Sequence, residues 1–299
     1  MNKRLLAILA AIGAGTIYGI NHTVAKGLMP VYIQPFGFIL LRVTGAAILF
    51  WLISPLGPKE KIATSDWPRL LGCAVLGMCI NMLFFFKGLN LTTPINSSVI
   101  TTITPIIVLV LAAILIKEKI TLLKTIGIIT GLAGALGLIL FSSSEVRNAS
   151  NIPLGNFLVL INATSYGLYL ILVKPLTGKY HPVTLMKWLF SLAVIINLPF
   201  TLKEFTQVEW SSLPTEAILG MSFVVVGTTF LTYLLNVYAL RQLSASTISA
   251  FVYLQPLIAI IYAVSTGADS LNMLKIVAAL LVFAGVYMVT RKPKPKPAI

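Results

Sequence analysis

Residues 102–124 read TITPIIVLVLAAILIKEKITLLK, and residues 253–275 read YLQPLIAIIYAVSTGADSLNMLK. At a constant offset of 151, Pro105 aligns with Pro256, Glu118 with Asp269, Lys124 with Lys275, Ala133 with Ala284 and Gly134 with Gly285. Earlier in each half, YGINHTVAK at 18–26 meets YGLYLILVK at 166–174, pairing Tyr18 with Tyr166, Gly19 with Gly167 and Lys26 with Lys174 at offset 148. Apolar stretches match in Leu and Ile by composition alone. Proline, an acid, lysine and glycine recurring at one spacing do not. The chain therefore reads as two repeats, residues 1–145 and 146–299.

Composition says what solvent surrounds these repeats. Of 299 residues, 58% are hydrophobic and 10% charged, with a mean hydropathy of +0.95. A soluble domain carries about 25% charged residues, so this chain could not cover a water-facing surface. Lipid is the remaining solvent. The net charge of +14, from 22 Lys+Arg against 8 Asp+Glu, is not a nucleic-acid signature here. The cations sit in short clusters between apolar runs, as loops at an anionic membrane face do.

A membrane span needs about 20 mostly apolar residues. Ten runs qualify: 5–28, 34–54, 67–89, 95–116, 121–141, 153–175, 182–202, 215–239, 245–266 and 271–290. They are too long, and too evenly apolar, to be barrel strands. The start, Met-Asn-Lys-Arg followed by an apolar run, resembles a signal peptide but lacks a small-residue cleavage site, so it reads as the first span. The expected fold is all-α and integral to the membrane, with ten transmembrane helices. Five spans per repeat is an odd number, so the second repeat must enter the membrane inverted, as in many transporters. With the N-terminus inside, the inner segments hold sixteen Lys and Arg and the outer segments five, with Arg42 left within a span. That bias predicts both termini in the cytoplasm. The Lys-Pro alternation at 292–297 reads as a solvated tail.

Three stretches resemble the EamA-type ten-helix branch of the drug/metabolite transporter superfamily. They are YGINHTVAK; QPFGFILLR, with Pro35 and Arg42; and TPIIVLVLAAILIKEKIT followed by GIITGLAG. The resemblance extends over nearly the whole chain and both halves. It departs at Tyr18, where tryptophan is commoner, at His22, where an apolar or aromatic residue is usual, and in the second half, which has no counterpart of Arg42. It implies a central cavity lined by helices 1, 3, 4, 6, 8 and 9, with helices 5 and 10 peripheral. It also implies export or exchange of amino acids or other metabolites across a plasma membrane, the bacterial inner membrane in particular.

Several polar side chains within the spans are candidates for the substrate pathway. Arg42 lies about eight residues, or about 12 Å, inside span two. A permanent cation there costs at least ~2.5 kcal/mol if unpaired. It either attracts an anionic group or bonds backbone carbonyls. Asn21, His22, Asn81, Asn162 and Asn236 sit within spans one, three, six and eight. Amides in lipid need partners, so they point inward, to a polar substrate or to a neighbouring helix. Spans four and nine are the most polar and each contains a proline, Pro105 or Pro256, which removes a backbone hydrogen bond and frees a carbonyl. Around these breaks lie Asn96, Thr101, Tyr253 and Gln255; Tyr166 and Tyr233 complete the set. Broken helices near a repeat axis mark transport sites, although neighbouring hydroxyls can also satisfy the break. Gly15, Gly19, Gly127 and Gly131 at four-residue spacing read as close-packing positions.

Other function classes lack their signatures. Cys73 and Cys79 lie six residues apart in one run, too far for a disulfide in a regular helix. No Cys/His cluster has metal-ligand spacing, so no cofactor or metal is expected. A membrane-embedded enzyme would need a nucleophile with a base, and a channel a filter loop or charge ring. All eight acids fall in loops or near helix ends: Glu60, Asp66, Glu118, Glu145, Glu204, Glu209, Glu216 and Asp269. The expected partners are a small-molecule substrate and membrane lipid, not nucleic acid.

Overall fold

The computed structural model describes residues 2–29, 31–92, 94–140, 151–265 and 272–291. The junction between the repeats, Asp269 and the Lys-Pro tail lie outside the described residues. So do the side chains of His22 and Asn96. Within the described residues, ten helices are long and apolar enough to cross a membrane. α1 is Lys3–Leu28, α2 Pro35–Ile53, α5 Leu122–Leu140, α6 Ile152–Lys179, α7 Pro182–Thr206 and α10 Met273–Thr290. α3 runs as Trp67–Ala74, a π-helical turn Val75–Ile80, and Asn81–Leu91. α4 runs as Pro94–Thr101 and Thr104–Leu115. α8 runs as Thr215–Phe223, a π-helical turn Val224–Leu231, and Thr232–Leu240. α9 runs as Ala245–Ala250, a 3-10 turn Phe251–Tyr253, and Leu254–Ser265.

Local chemistry sets several of the ends. Asn2, Asn151 and Asn272 cap α1, α6 and α10 by accepting from backbone N–H groups of Arg4, Leu154 and Lys275 at 3.1, 3.1 and 2.9 Å. The N-terminus of α2 is capped from across the bundle. Glu204 Oε2 on α7 accepts from the N–H of Phe36 at 2.6 Å and of Gly37 at 3.1 Å. An acid at a helix start also complements the macrodipole. α6 and α7 run past their apolar stretches, each ending in a more polar turn, residues 177–179 and 203–206.

The irregular turns recur in both halves. The break before Pro105 falls where the 3-10 turn before Pro256 falls, and the π-turns of α3 and α8 correspond likewise. The most extensive packing pairs are α5 with α10, α2 with α7, α3 with α6, and α1 with α8. Exchanging the halves maps the first two pairs onto themselves and swaps the last two.

The α5–α10 crossing carries this to atomic detail. A Cβ added at Gly285 would lie 2.5 Å from Gly131 N and 2.6 Å from Gly127 O. One added at Gly134 would lie 2.6 Å from Ala278 O and 2.7 Å from Val282 N. Gly127, Gly131 and Gly134 precede Ala278, Val282 and Gly285 by 151 residues each. The contact is thus its own image when the halves are exchanged. Without a hydrophobic drive between helices in lipid, such close backbone approach is what holds them together. Leu280, Phe283 and Tyr287 project outward from α10, each more than half exposed, as a lipid-facing surface requires.

Candidate functional site

The polar groups converge where α8 faces α1 and α2. Three threonines of the α8 π-turn and the residue after it, Thr228, Thr229 and Thr232, have no accessible surface. Thr229 Oγ1 donates to Val224 O five residues back at 2.9 Å, a reach that the π-turn permits. The Thr232 hydroxyl donates to Thr228 O. Thr228 Oγ1 donates to Asn21 Oδ1 on α1 at 3.0 Å. Arg42 on α2 donates from Nε to Thr229 Oγ1 at 3.0 Å.

Arg42 is 7% exposed, and its guanidinium carbon stands 5.7 Å from the centre of the Phe86 ring on α3. Tyr233 and Tyr18 are near enough to interact with its charge. Among the described residues the ion pairs are Lys124–Glu118 and Lys179–Asp66, so no carboxylate neutralises Arg42. A buried, permanently charged fork with one neutral hydroxyl partner and an aromatic face retains unspent hydrogen-bond donors.

An aromatic wall continues from it. Tyr166 and Tyr169 on α6 have ring centres 6.1 Å apart, Tyr169 and Tyr233 6.4 Å, and Phe190 on α7 meets Tyr233 edge-on at 5.1 Å. Tyr18 and Tyr166 stay partly accessible, as do Asn236 and Gln255. Asn236 and Gln255 have no hydrogen-bond partner for their amides among the described residues, leaving them free to meet a polar ligand.

Other candidates are engaged in holding the bundle. Asn81 and Asn162 form a reciprocal clasp between α3 and α6. Asn162 Nδ2 donates to Asn81 O at 2.7 Å, and Asn81 Nδ2 to Asn162 O at 3.5 Å. Thr101 donates to Ser97 O at 2.8 Å, and the Thr101 carbonyl freed by Pro105 accepts from Thr104 Oγ1 at 2.6 Å. The break in α4 is thus satisfied by its own hydroxyls. Tyr253 packs its ring over Gly131 of α5 and is fully buried. Its hydroxyl has no partner among the described residues.

The π-turn of α3 was not foreseen, and it organises a second polar seam. Its carbonyls are taken up by side chains of three other helices. Ser165 on α6 donates to Leu76 O at 2.7 Å, Tyr233 on α8 to Gly77 O at 3.4 Å, and Asn197 on α7 to Met78 O at 3.3 Å. Neither Asn197 nor the α8 threonines stood out in the sequence. Their only signal was hydroxyls and an amide inside otherwise apolar runs.

At the ends of the bundle, charges are paired. Lys174, near the end of α6, donates to the carbonyls of Leu240, the last residue of α8, and of Leu243 just beyond it. Lys124 at the start of α5 donates to Glu118 Oε1 at 2.7 Å and to Ser244 and Ser246 at 3.1 and 3.2 Å. Ser246 also donates to Glu118. This ties the α4–α5 loop to the start of α9. Burial pushes the Glu118 carboxyl up, but the hydrogen bonds from Lys124 and Ser246 and the lysine charge outweigh it, holding it below the ordinary value of 4.5. A depressed folded-state pKa gives stability that is present above the unfolded value and lost as pH falls through the folded one. We expect Glu118→Gln to lower the melting temperature at pH 7. The gap to the parent should narrow below pH 4.5 and close once Glu118 is protonated in the fold. A gap that stays constant across that range in a thermal-shift titration would remove the ionic role.

The family comparison agrees with this architecture twice over: the sequence profile of the EamA-like transporter family matches residues 5–140 and again 153–291. The chain belongs to the EamA-like transporter family. An uncharacterized transporter of Archaeoglobus fulgidus is 29% identical over 277 residues, covering 93% of this chain and 96% of its own. The Bacillus subtilis transporter YyaM is 23% identical, with 95% and 93% covered. A probable terminal-alkyne amino-acid exporter of Streptantibioticus cattleyicolor is 24% identical, with 86% and 84% covered. A solved crystal structure superposes with a TM-score of 0.75 over 94% of this chain and 95% of that one, at 16% identity. That likeness speaks for the fold alone. EamA-like membership and the ten apolar helices make this a multi-pass membrane transport protein.

Proposed function

We propose that this transporter moves small polar organic metabolites bearing a carboxylate, amino acids above all. Transport would run by alternating access through the space between α1, α3, α4, α6, α8 and α9. The observation that carries the reading is Arg42, a buried cation with no carboxylate partner among the described residues, flanked by Tyr18 and Tyr233 and backed by Thr229. The charge attracts the substrate carboxylate, and the free amides of Asn236 and Gln255 meet its other polar groups. The Streptantibioticus relative, named a probable amino-acid exporter, supports the substrate class. The exchange symmetry of the α5–α10 crossing supports two inverted repeats able to trade inward-open and outward-open forms. The distribution of lysine and arginine supports both termini on the cytoplasmic side of the membrane.

Coupling follows from where the acids sit. Cation-driven carriers commonly keep a carboxylate in the membrane interior. The described acids are at helix ends or in loops: Glu60, Asp66, Glu118, Glu204, Glu209 and Glu216. The carrier is therefore an exporter, exchanger or facilitator driven by the substrate gradient. The test is a screen of amino acids and neutral amines in proteoliposomes, with and without imposed pH or sodium gradients. Saturable counter-exchange of a carboxylate substrate, indifferent to both gradients, is the expected outcome. Uphill accumulation that requires a gradient, or preference for substrates lacking a carboxylate, would reject it.

A further inference from the structure

On the outside of the bundle a groove of about 540 Å3 lies between α2 and α7. Ala47, Ile48 and Leu52 form one wall, Ser191 and Val194 the other, and Trp51 closes one end. It extends from Thr44 to Leu52, eight residues or about 12 Å along α2. The groove is open along its outer side rather than enclosed. Ile48 and Leu52 are more than half exposed, so the slot opens to lipid.

The mouth of the groove is polar and aromatic. Lys187 Nζ stands 4.5 Å from the Trp51 ring centre, 5.6 Å from that of Trp188 and 3.5 Å from Ser54 Oγ. Trp51 Nε1 donates to Ser191 Oγ at 2.9 Å, and Trp67 braces Trp188 edge-on at 5.2 Å. Indoles at this level are an interfacial belt, and their faces hold an ammonium in place. Lys187 has no carboxylate partner among the described residues. The adjoining loop, which follows Ser54 around the start of α7, adds exposed Lys59 and Lys61.

We propose that this groove is a binding site for an acidic phospholipid, with one acyl chain in the slot and the phosphate on Lys187. An apolar channel ending in a fixed cation fits an amphiphile with an anionic head. Charge also decides against a second copy of this chain, which would bring the same lysines to the same end of a molecule already at +14. An interfacial lysine attracts an anionic headgroup by an amount equal to roughly a three- to fivefold change in affinity.

The test uses the purified full chain carrying Trp210→Phe, so that the emission comes from Trp51, Trp67 and Trp188. It is titrated with brominated phosphatidylglycerol and with brominated phosphatidylcholine of the same chains. Phosphatidylglycerol should quench with about three- to fivefold tighter apparent affinity. Lys187→Gln should erase the difference and Lys187→Arg retain it, while Val194→Phe, which fills the slot, should weaken both lipids. Inorganic phosphate at millimolar concentration should leave the preference intact. Equal affinity for the two lipids in the parent, a preference surviving in Lys187→Gln, an unchanged response in Val194→Phe, or full competition by phosphate alone would each overturn the assignment.

Discussion

Arg42→Gln should lower uptake of a carboxylate-bearing substrate tenfold or more, while Arg42→Lys keeps a substantial part of it. Two unit charges about 4 Å apart interact by about 4 kcal/mol at an effective dielectric of 20. Even one third of that, about 1.4 kcal/mol, is a tenfold change in affinity. Lysine keeps the charge but loses the planar fork and its several donors, so it should recover part of the function and not all. Two controls separate charge from packing. Arg42 is bonded to Thr229 and stacked near Phe86, so each variant is first matched to the parent for yield and monodispersity. Uptake of a neutral analogue of the same substrate, lacking the carboxylate, should then be nearly unaffected by Arg42→Gln. Equal losses for both substrates, or none for either, would reduce Arg42 to a packing residue.

The legible and illegible parts of this molecule divide along a physical line. The ten spans could be read because length and hydropathy are what lipid selects, and the repeat because Pro105, Lys124 and Gly134 recur 151 residues later and Glu118 meets Asp269 at the same offset. The glycine crossing of α5 was legible for the same reason. Gly127 and Gly131 have no side chain to contribute, so their spacing had to serve backbone contact. What could not be read was direction. Asn81, Asn162 and Asn236 look alike in a sequence, yet the first two clasp each other and the third is free. Lys174 reads in the sequence only as a cation near the end of span six, whose charge belongs in water or on carbonyls. Only the fold brings the end of α8 to it. The π-turns of α3 and α8 left no mark in composition, since an inserted residue in an apolar run is one more apolar residue. The partners they create could not be foreseen: Ser165, Asn197, Thr228 and Thr229.

Gly285→Ala should be among the most damaging single substitutions in the chain for stability, although it touches no candidate site residue. Its new methyl would stand 2.5 Å from Gly131 N and 2.6 Å from Gly127 O. Both are backbone atoms of a helix, which cannot rotate away as a side-chain end could. Overpacking a rigid contact typically costs ~1–3 kcal/mol, and here α5 and α10 must separate along their whole shared seam. We expect a melting temperature lowered by roughly 5 °C or more in detergent, on a scale of about 2–4 °C per kcal/mol. Gly134→Ala should do the same through Ala278 O at 2.6 Å, because it is the equivalent position in the other half. Gly178→Ala is the control: nothing lies within 4 Å of its added Cβ, so the melting point should hold. The double variant Gly134→Ala/Gly285→Ala supplies the sharper test. Once the first methyl has pushed the helices apart, the second meets less resistance, so the loss in the double variant should be less than the sum of the two single losses. Full additivity would mean the two glycines act at independent contacts and not across one shared crossing.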